Sequence, residues 1–537
     1  MSMLKLHGIS WGVLVYFLLF SGALSAWSGI EIGFDFANYH FYDGYAFWNH
    51  RFWIDQAPAQ AWTYFNPILD AVLYFLIMHF SAYWVSFFEG MFDGLIGFFT
   101  YLLALRFFAK LQFGRVDRVL AVALGTWVAV MSPGVLSMVG STHEDIQSSL
   151  FFILGLAYLA QGFGESRFPN RLAFWAGFFC AASVGLKLTL MPFELALIFC
   201  FLGFSGLHRE FKAFIWLGLG TVMGFFLVEG WWAGLLYFRF HNPVFPYFNN
   251  IFHSPFYGNI SSRDLTFAWT SWKEIFILPF ALAFTSKAHV YELAVVDPRL
   301  ALVLNLGAIF WIEYGLKKLK KWPSRVVFSE MTSIGFFSIF SLLAYVIWGF
   351  TFGIYRYAIP LQILSSLLIV YFGLALFGRY RRIGLILVSA LVIIFTIPMA
   401  KDAVPALGKS YVSLYPLPRL PAHALVILGD RGESFVLPIL RPEIALSPNL
   451  YPEDALYLSG GKVFLRFPDP QNLSLPFIEK HQGPMFLLRL IPDSARIVRR
   501  AEPGSQDKFL EETGPCQHFM SSLWWRGPLE LCPVKWV

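Results

Sequence analysis

The chain has 537 residues; 57% are hydrophobic, 19% aromatic and only 14% charged, and its mean hydropathy is +0.58. Ordinary soluble domains carry about 25% charged residues, so this composition excludes a soluble globular enzyme, a disordered chain and a small secreted disulfide scaffold. The net charge of +6 sits in loops between apolar runs, where it speaks to membrane orientation and not to nucleic acid.

The first apolar run, 11–27, reads as an uncleaved first helix; the small residues at 23–26 also suit a signal peptide. A polar-aromatic loop follows over 28–80, and its apolar piece 67–80 is too short to span, which suits a helix lying in the interface. Further spans are expected at 82–106, 119–139, 147–163, 172–187, 189–206, 213–236, 299–316, 331–350, 357–377 and 384–400. The apolar runs are continuous and do not alternate, which disfavours a barrel. Basic residues concentrate in every second connection: Arg106, Lys110, Arg115 and Arg118; Arg167 and Arg171; Arg209 and Lys212; Lys317 to Arg325; Arg379, Arg381 and Arg382. The positive-inside rule places these in the cytoplasm with the N-terminus. Loop 28–80, the hinge 140–146, the turn near Lys187, loop 237–298, the hinge 351–356 and the tail then fall outside. The expected fold is a polytopic α-helical membrane protein of about eleven transmembrane helices over 1–401, followed by a small extracytoplasmic α/β domain over 402–537. Short apolar runs separated by turn residues suggest the strands of that domain. Cys516 and Cys532 can pair there in an oxidising compartment, while Cys180 and Cys200 sit in apolar runs as small hydrophobes.

Chemistry-bearing residues gather in the outward segments. The first loop carries Asp35, Tyr39, His40, Tyr42 and Asp43; the spacing of Asp35, Tyr39 and Tyr42 predicts one face of a short helix. A carboxylate beside aromatic rings suits a sugar site, where it takes a hydroxyl proton while the rings stack on the sugar; an interfacial aromatic belt with solvated acids explains the same residue types. His143, Glu144 and Asp145 form an acidic cluster that also suits a helix start. Lys187 and Arg356 are isolated outward cations between apolar runs, suited to a phosphate, although a lysine at a helix end also snorkels. Asn242, Tyr247 and Tyr355 are further candidates to line a substrate. There is no P-loop, dinucleotide fingerprint, HExxH or CxxC.

The order of these elements resembles the GT-C superfamily of polyprenyl-phosphate-dependent membrane glycosyltransferases. Its broader relatives include protein O-mannosyltransferases, the aminoarabinose transferase that modifies lipid A and the oligosaccharyltransferase catalytic subunit. The resemblance rests on Asp35 in a large first outer loop, Asn66-Pro67 before a short interfacial helix, Glu144-Asp145 in a second outer hinge, Lys187 in a Gly-x-Lys context, the loop 241–249 and an outer tail domain. It implies a bacterial inner-membrane enzyme that moves a sugar from a polyprenyl-phosphate donor to a glycan, lipid or protein acceptor with inversion. By position, Asp35 is the base with Asp43 in reserve, Lys187 and Arg356 meet the donor phosphate, and His143, Glu144 and Asp145 orient the acceptor or hold a metal. Dependence on a divalent ion, Mg or Mn, stays open, because Asp35 is followed by Phe36 and Ala37 and no Asp-x-Asp pair is present. Two other readings compete: an O-antigen polymerase or ligase, and a lipid or glycan transporter built on the intramembrane acids Glu89, Asp93, Glu194 and Glu229.

Overall fold

The computed structural model describes residues 8–31, 33–109, 114–163, 165, 167–285, 295–319, 328–396, 403–404, 411–429, 432–447, 456–459, 462–465, 475–490, 509–523 and 528–536. The basic residues expected at Lys110 and at 320–325 lie outside the described residues. Two compact units form, each from three stretches of chain. The first takes Met1–Ser25, Phe87–Trp231 and Arg263–Lys401; the second takes Ala26–Ser86, Trp232–Ser262 and Asp402–Val537.

The first unit is helical. Among the described residues, seven helices of the chain are long and apolar enough to cross a membrane: Ser10–Ser28, Ala82–Phe108, Leu188–His208, Phe211–Val228, Arg299–Leu319, Thr332–Thr351 and Tyr355–Leu376. The other four expected spans are helices too, at Arg115–Val130, Asp145–Gly162, Asn170–Leu186 and Arg381–Ile394, but they are shorter or less apolar. The expected span 119–139 is interrupted because Ser132 is extended and Pro133 starts a new short helix, the position at which a proline's missing N–H costs least. The expected span 213–236 likewise ends at Val228, and a separate helix, Gly230–Phe240, follows.

Apolar content has two destinations here. Every residue from Ile359 to Leu374 is buried, as expected of a helix that is hydrophobic all round. The helix Phe211–Val228 is as apolar, yet Ile215, Leu219, Val222 and Phe226 stay exposed, the surface an apolar solvent would cover. That helix meets Asn170–Leu186 at very close range: a Cβ on Gly220 would lie 2.0 Å from the Phe174 carbonyl oxygen, and one on Gly177 would lie 2.2 Å from that of Leu217. Small residues at a helix crossing let backbones approach where no hydrophobic force drives association. Polar contacts tie the opposite helix ends. Asp117 pairs with Arg381 and Arg382 at 3.0 and 2.7 Å, and Arg106 donates to Gln161 at 3.2 Å.

The second unit combines the first loop, the segment 232–262 and the tail. Its sheet runs, from one edge, through Ile444–Leu446, Leu425–Leu428, Met485–Leu490, Leu529–Trp536, Phe509–Glu512, Lys462–Leu465 and Leu456–Ser459. The first three strands are parallel and the rest antiparallel. Gln517–Ser521 pairs with Leu529–Trp536, and a disulfide joins Cys516 to Cys532. The tail is only part of this unit. Ile30–Glu31 pairs with Ala403–Val404, and the backbone of Gln56 adds to the sheet edge at Leu446. Gly432 N–H donates to the Asn38 side chain at 2.7 Å, and aromatic residues of the first loop share a core with Val426, Phe435 and Leu488.

Candidate functional site

Two clusters of chemistry-bearing residues form, one in each unit. In the first unit, three chain segments converge on Asp145. The turn before it is held by Asp93, whose carboxylate accepts Gly140 N–H at 2.6 Å. Glu144 adopts a left-handed conformation, φ 63°, which is strained for a residue with a side chain and sets Asp145 at the first position of its helix. That end of a helix favours negative charge. Lys187 lies just past the last residue of Asn170–Leu186, where positive charge is favoured.

Lys187 Nζ donates to Asp145 Oδ1 at 2.7 Å and also to the His143 carbonyl. Arg356 Nη1 lies 3.7 Å from Asp145 Oδ2. Both cations lean over the Tyr357 ring, at 5.5 Å for Lys187 and 5.2 Å for Arg356, a favourable cation–π geometry. His143 shares a 2.6 Å hydrogen bond with Ser141 through Nδ1. Asp145 and Arg356 are buried and Lys187 is half-buried. The Lys187 ammonium and the Arg356 guanidinium thus converge in a poorly solvated place, and donors of this kind suit an anion with several oxygens such as a phosphate.

Asp145 therefore has a different occupation from the one its sequence position suggests. Its Oδ1 accepts from Lys187 and its Oδ2 faces Arg356, so this acid positions the two cations. Tyr355 is also elsewhere. Its hydroxyl donates to Asp297 at 2.7 Å, and Asp297 is paired with the wholly buried Arg299 at 2.7 Å. Arg299 further donates to Ser366 and the Val128 carbonyl, so this group braces the start of Tyr355–Leu376. Tyr357, two residues on, is the ring that meets the cations; the flanking tyrosines of Tyr355-Arg356-Tyr357 are the signal that sequence reading could have followed.

In the second unit, Asp35 opens a π-helical turn, Phe36–His40, that continues into Phe41–Trp48. Phe41 N–H bonds back to Phe36 O, five residues away, and this wider turn breaks the register that would align Asp35, Tyr39 and Tyr42. Tyr39 and Tyr42 accordingly part company. Tyr39 sets its ring 5.7 Å from Phe65, and Phe65 stacks on Tyr247 at 5.6 Å. Phe65 is a half-buried aromatic that sequence reading passed over. Tyr42 instead donates to Asp55 at 2.8 Å. Burial and the Asp55 carboxylate push its phenol well above the ordinary range.

Asp55 is a structural hub. Arg51 grips it bidentately at 2.9 and 2.6 Å, Ala445 N–H donates to it at 2.8 Å, and Arg51 also reaches the Glu443 carbonyl at 2.8 Å. His40 Nδ1 lies 2.6 Å from Asp70, both buried. Asn242 is spent on its own loop, accepting from Val244 N–H at 3.0 Å and donating to the Tyr247 carbonyl at 2.9 Å. Asp43 is fully buried, whereas Asp35 is partly exposed. Glu512, Cys516 and Cys532 lie close enough to hold a metal, but the two sulfurs are bonded to each other.

No family model, curated protein or solved structure matches this chain.

Proposed function

We propose that this chain is an integral membrane glycosyltransferase that moves a sugar from a polyprenyl-phosphate donor to a hydroxyl acceptor, with inversion, at the outer face of the bacterial cytoplasmic membrane. The carrying observation is the Lys187–Asp145–Arg356–Tyr357 cluster: two cations converging, buried or half-buried, at the ends of apolar helices. A lipid-linked phosphate reaches protein only at such a level, and cations there stabilise the charge that grows as the phosphate leaves. In the proposed step the acceptor oxygen attacks the anomeric carbon, its proton passes to a carboxylate, and the bond from that carbon to the phosphate oxygen breaks to release polyprenyl phosphate. Asp35 takes the proton, because it is the partly exposed acid of the first loop and Asp43 is enclosed. The alternation of basic connections supports an inside N-terminus and an outside tail. The acceptor is a glycan, lipid or protein hydroxyl.

The test is transfer of labelled sugar from a polyprenyl-phosphate donor in membranes carrying the protein. Lys187→Ala and Arg356→Ala are each expected to lower transfer by roughly 10²–10³-fold, the usual effect of removing one donor to a developing oxyanion. Transfer at the wild-type rate in both variants overturns the reading.

A further inference from the structure

The helices Arg299–Leu319, Thr332–Thr351 and Tyr355–Leu376 enclose a cavity of about 440 Å³, within the roughly 300–1,000 Å³ of small-ligand clefts. Its wall is almost wholly apolar, with Leu304, Trp311, Leu361 and Phe372 among the lining residues. Ile339 and Leu342 also line it and are 61% and 49% exposed, so the cavity opens along the apolar outside of these helices. Three hydroxyls interrupt the wall: Ser338, Ser341 and Ser365.

Those hydroxyls behave unlike the others in these helices. A serine or threonine in an apolar helix ordinarily bonds back to the carbonyl one turn earlier. Ser366 does so to Gln362 at 2.8 Å and Thr351 to Ile347 at 2.6 Å. The oxygens of Ser338, Ser341 and Ser365 are buried and have no hydrogen-bond partner among the described residues. Ser341 is 6% exposed and Ser365 0%. Adjacent residues 365 and 366 thus differ: one satisfies itself, the other faces the cavity with a donor to spare. A buried unsatisfied hydroxyl is costly, and an apolar ligand carrying an acceptor would satisfy it.

We infer that this cavity is a site for one ester-linked acyl chain of a membrane lipid. The hydrocarbon fills the apolar wall, and the ester carbonyl, with two lone pairs, accepts from up to two of the serine hydroxyls. A polyprenyl chain has no carbonyl and would leave all three hydroxyls unmet, so the site is distinct from a donor-chain site. The inference rests on the membrane placement of these helices but not on sugar transfer.

The experiment uses the full-length protein in vesicles containing a phosphatidylethanolamine with a diazirine on one acyl chain, with a diazirine polyprenol of similar length in a parallel arm. Photolabelling is expected to favour the acyl probe and to map to 338–342 or 361–372. Gly335 lines the cavity, and a Cβ there would make only ordinary contact with Trp311 at 3.5 Å, so Gly335→Leu fills the space and should abolish that labelling. The Ser341→Ala, Ser365→Ala double variant removes donors without changing volume and should reduce acyl labelling by about fivefold while leaving polyprenol labelling unchanged. Equal labelling by the two probes, or undiminished acyl labelling in the folded double variant, overturns the inference. Loss of sugar transfer in Lys187→Ala with acyl labelling retained would show the two readings to be independent.

Discussion

Asp145 carries much of the first cluster, because one of its oxygens meets Lys187 and the other faces Arg356. Asp145→Ala leaves Lys187 and Arg356 against each other in a poorly solvated place, and removing one partner of a buried pair costs about 3–5 kcal/mol. A thermal unfolding comparison checks this, with Asp145→Asn expected to fall between the variant and wild type. The first loop offers a second test. Asp35→Asn should abolish sugar transfer without lowering the unfolding midpoint, whereas Asp43→Asn, at a fully buried position, should lower the midpoint; transfer at the wild-type rate in Asp35→Asn would remove its assignment as base. Lys187, Arg356 and Asp145 were legible in the sequence because an ionisable group between apolar runs needs a reason to be there. Tyr355 and Tyr357 were not separable, since a 3-10 turn over Tyr355–Ala358 decides which ring meets Arg356 and which bonds to Asp297.

At the scale of elements, the π turn at Phe36–His40 decides what the first loop can do. It sends Tyr39 toward Phe65 and Tyr42 toward Asp55, a division invisible to a three-to-four spacing rule, because one extra residue per turn shifts every later side chain. Tyr42 keeps its proton more tightly folded than unfolded, so its share of stability is fully present below an unfolded pKa of about 10 and is lost as pH rises beyond it. An alkaline unfolding series should show this fall, and Tyr42→Phe should flatten it. In the helical unit, Gly220→Leu forces a side chain against the Phe174 carbonyl, where even a Cβ would sit at 2.0 Å. A loss of about 1–3 kcal/mol or more is expected, read as a lower unfolding midpoint. Helices were readable from hydropathy almost throughout; their interruptions at Ser132 and Glu229 were not, because both fall inside continuous apolar stretches.

For the whole molecule, composition led to apolar helices followed by a small sheet, and both are present. The sequence boundary at 401/402 marks the change of composition well but says nothing of partners, because periodicity reports an element's faces and not what covers them. The tail's sheet edge is met by Gln56, its Gly432 by Asn38, and Arg51 and Asp55 hold the backbone at 443–445. Truncation after residue 401 should therefore expose 26–86 to limited proteolysis, while a tail domain that folded by itself would leave that loop protected. The same interleaving has a consequence during synthesis. Asn38 and Gly432 are 394 residues apart, and a ribosome adds about 5–20 residues per second. The first loop must then remain unsatisfied for about 20–80 s after it emerges, with Phe36, Tyr42 and Tyr45 uncovered. A cell making this protein has to shelter that aromatic segment until the tail around Gly432 arrives, so shortage of a holding chaperone should reduce its yield before any defect in the helices is felt.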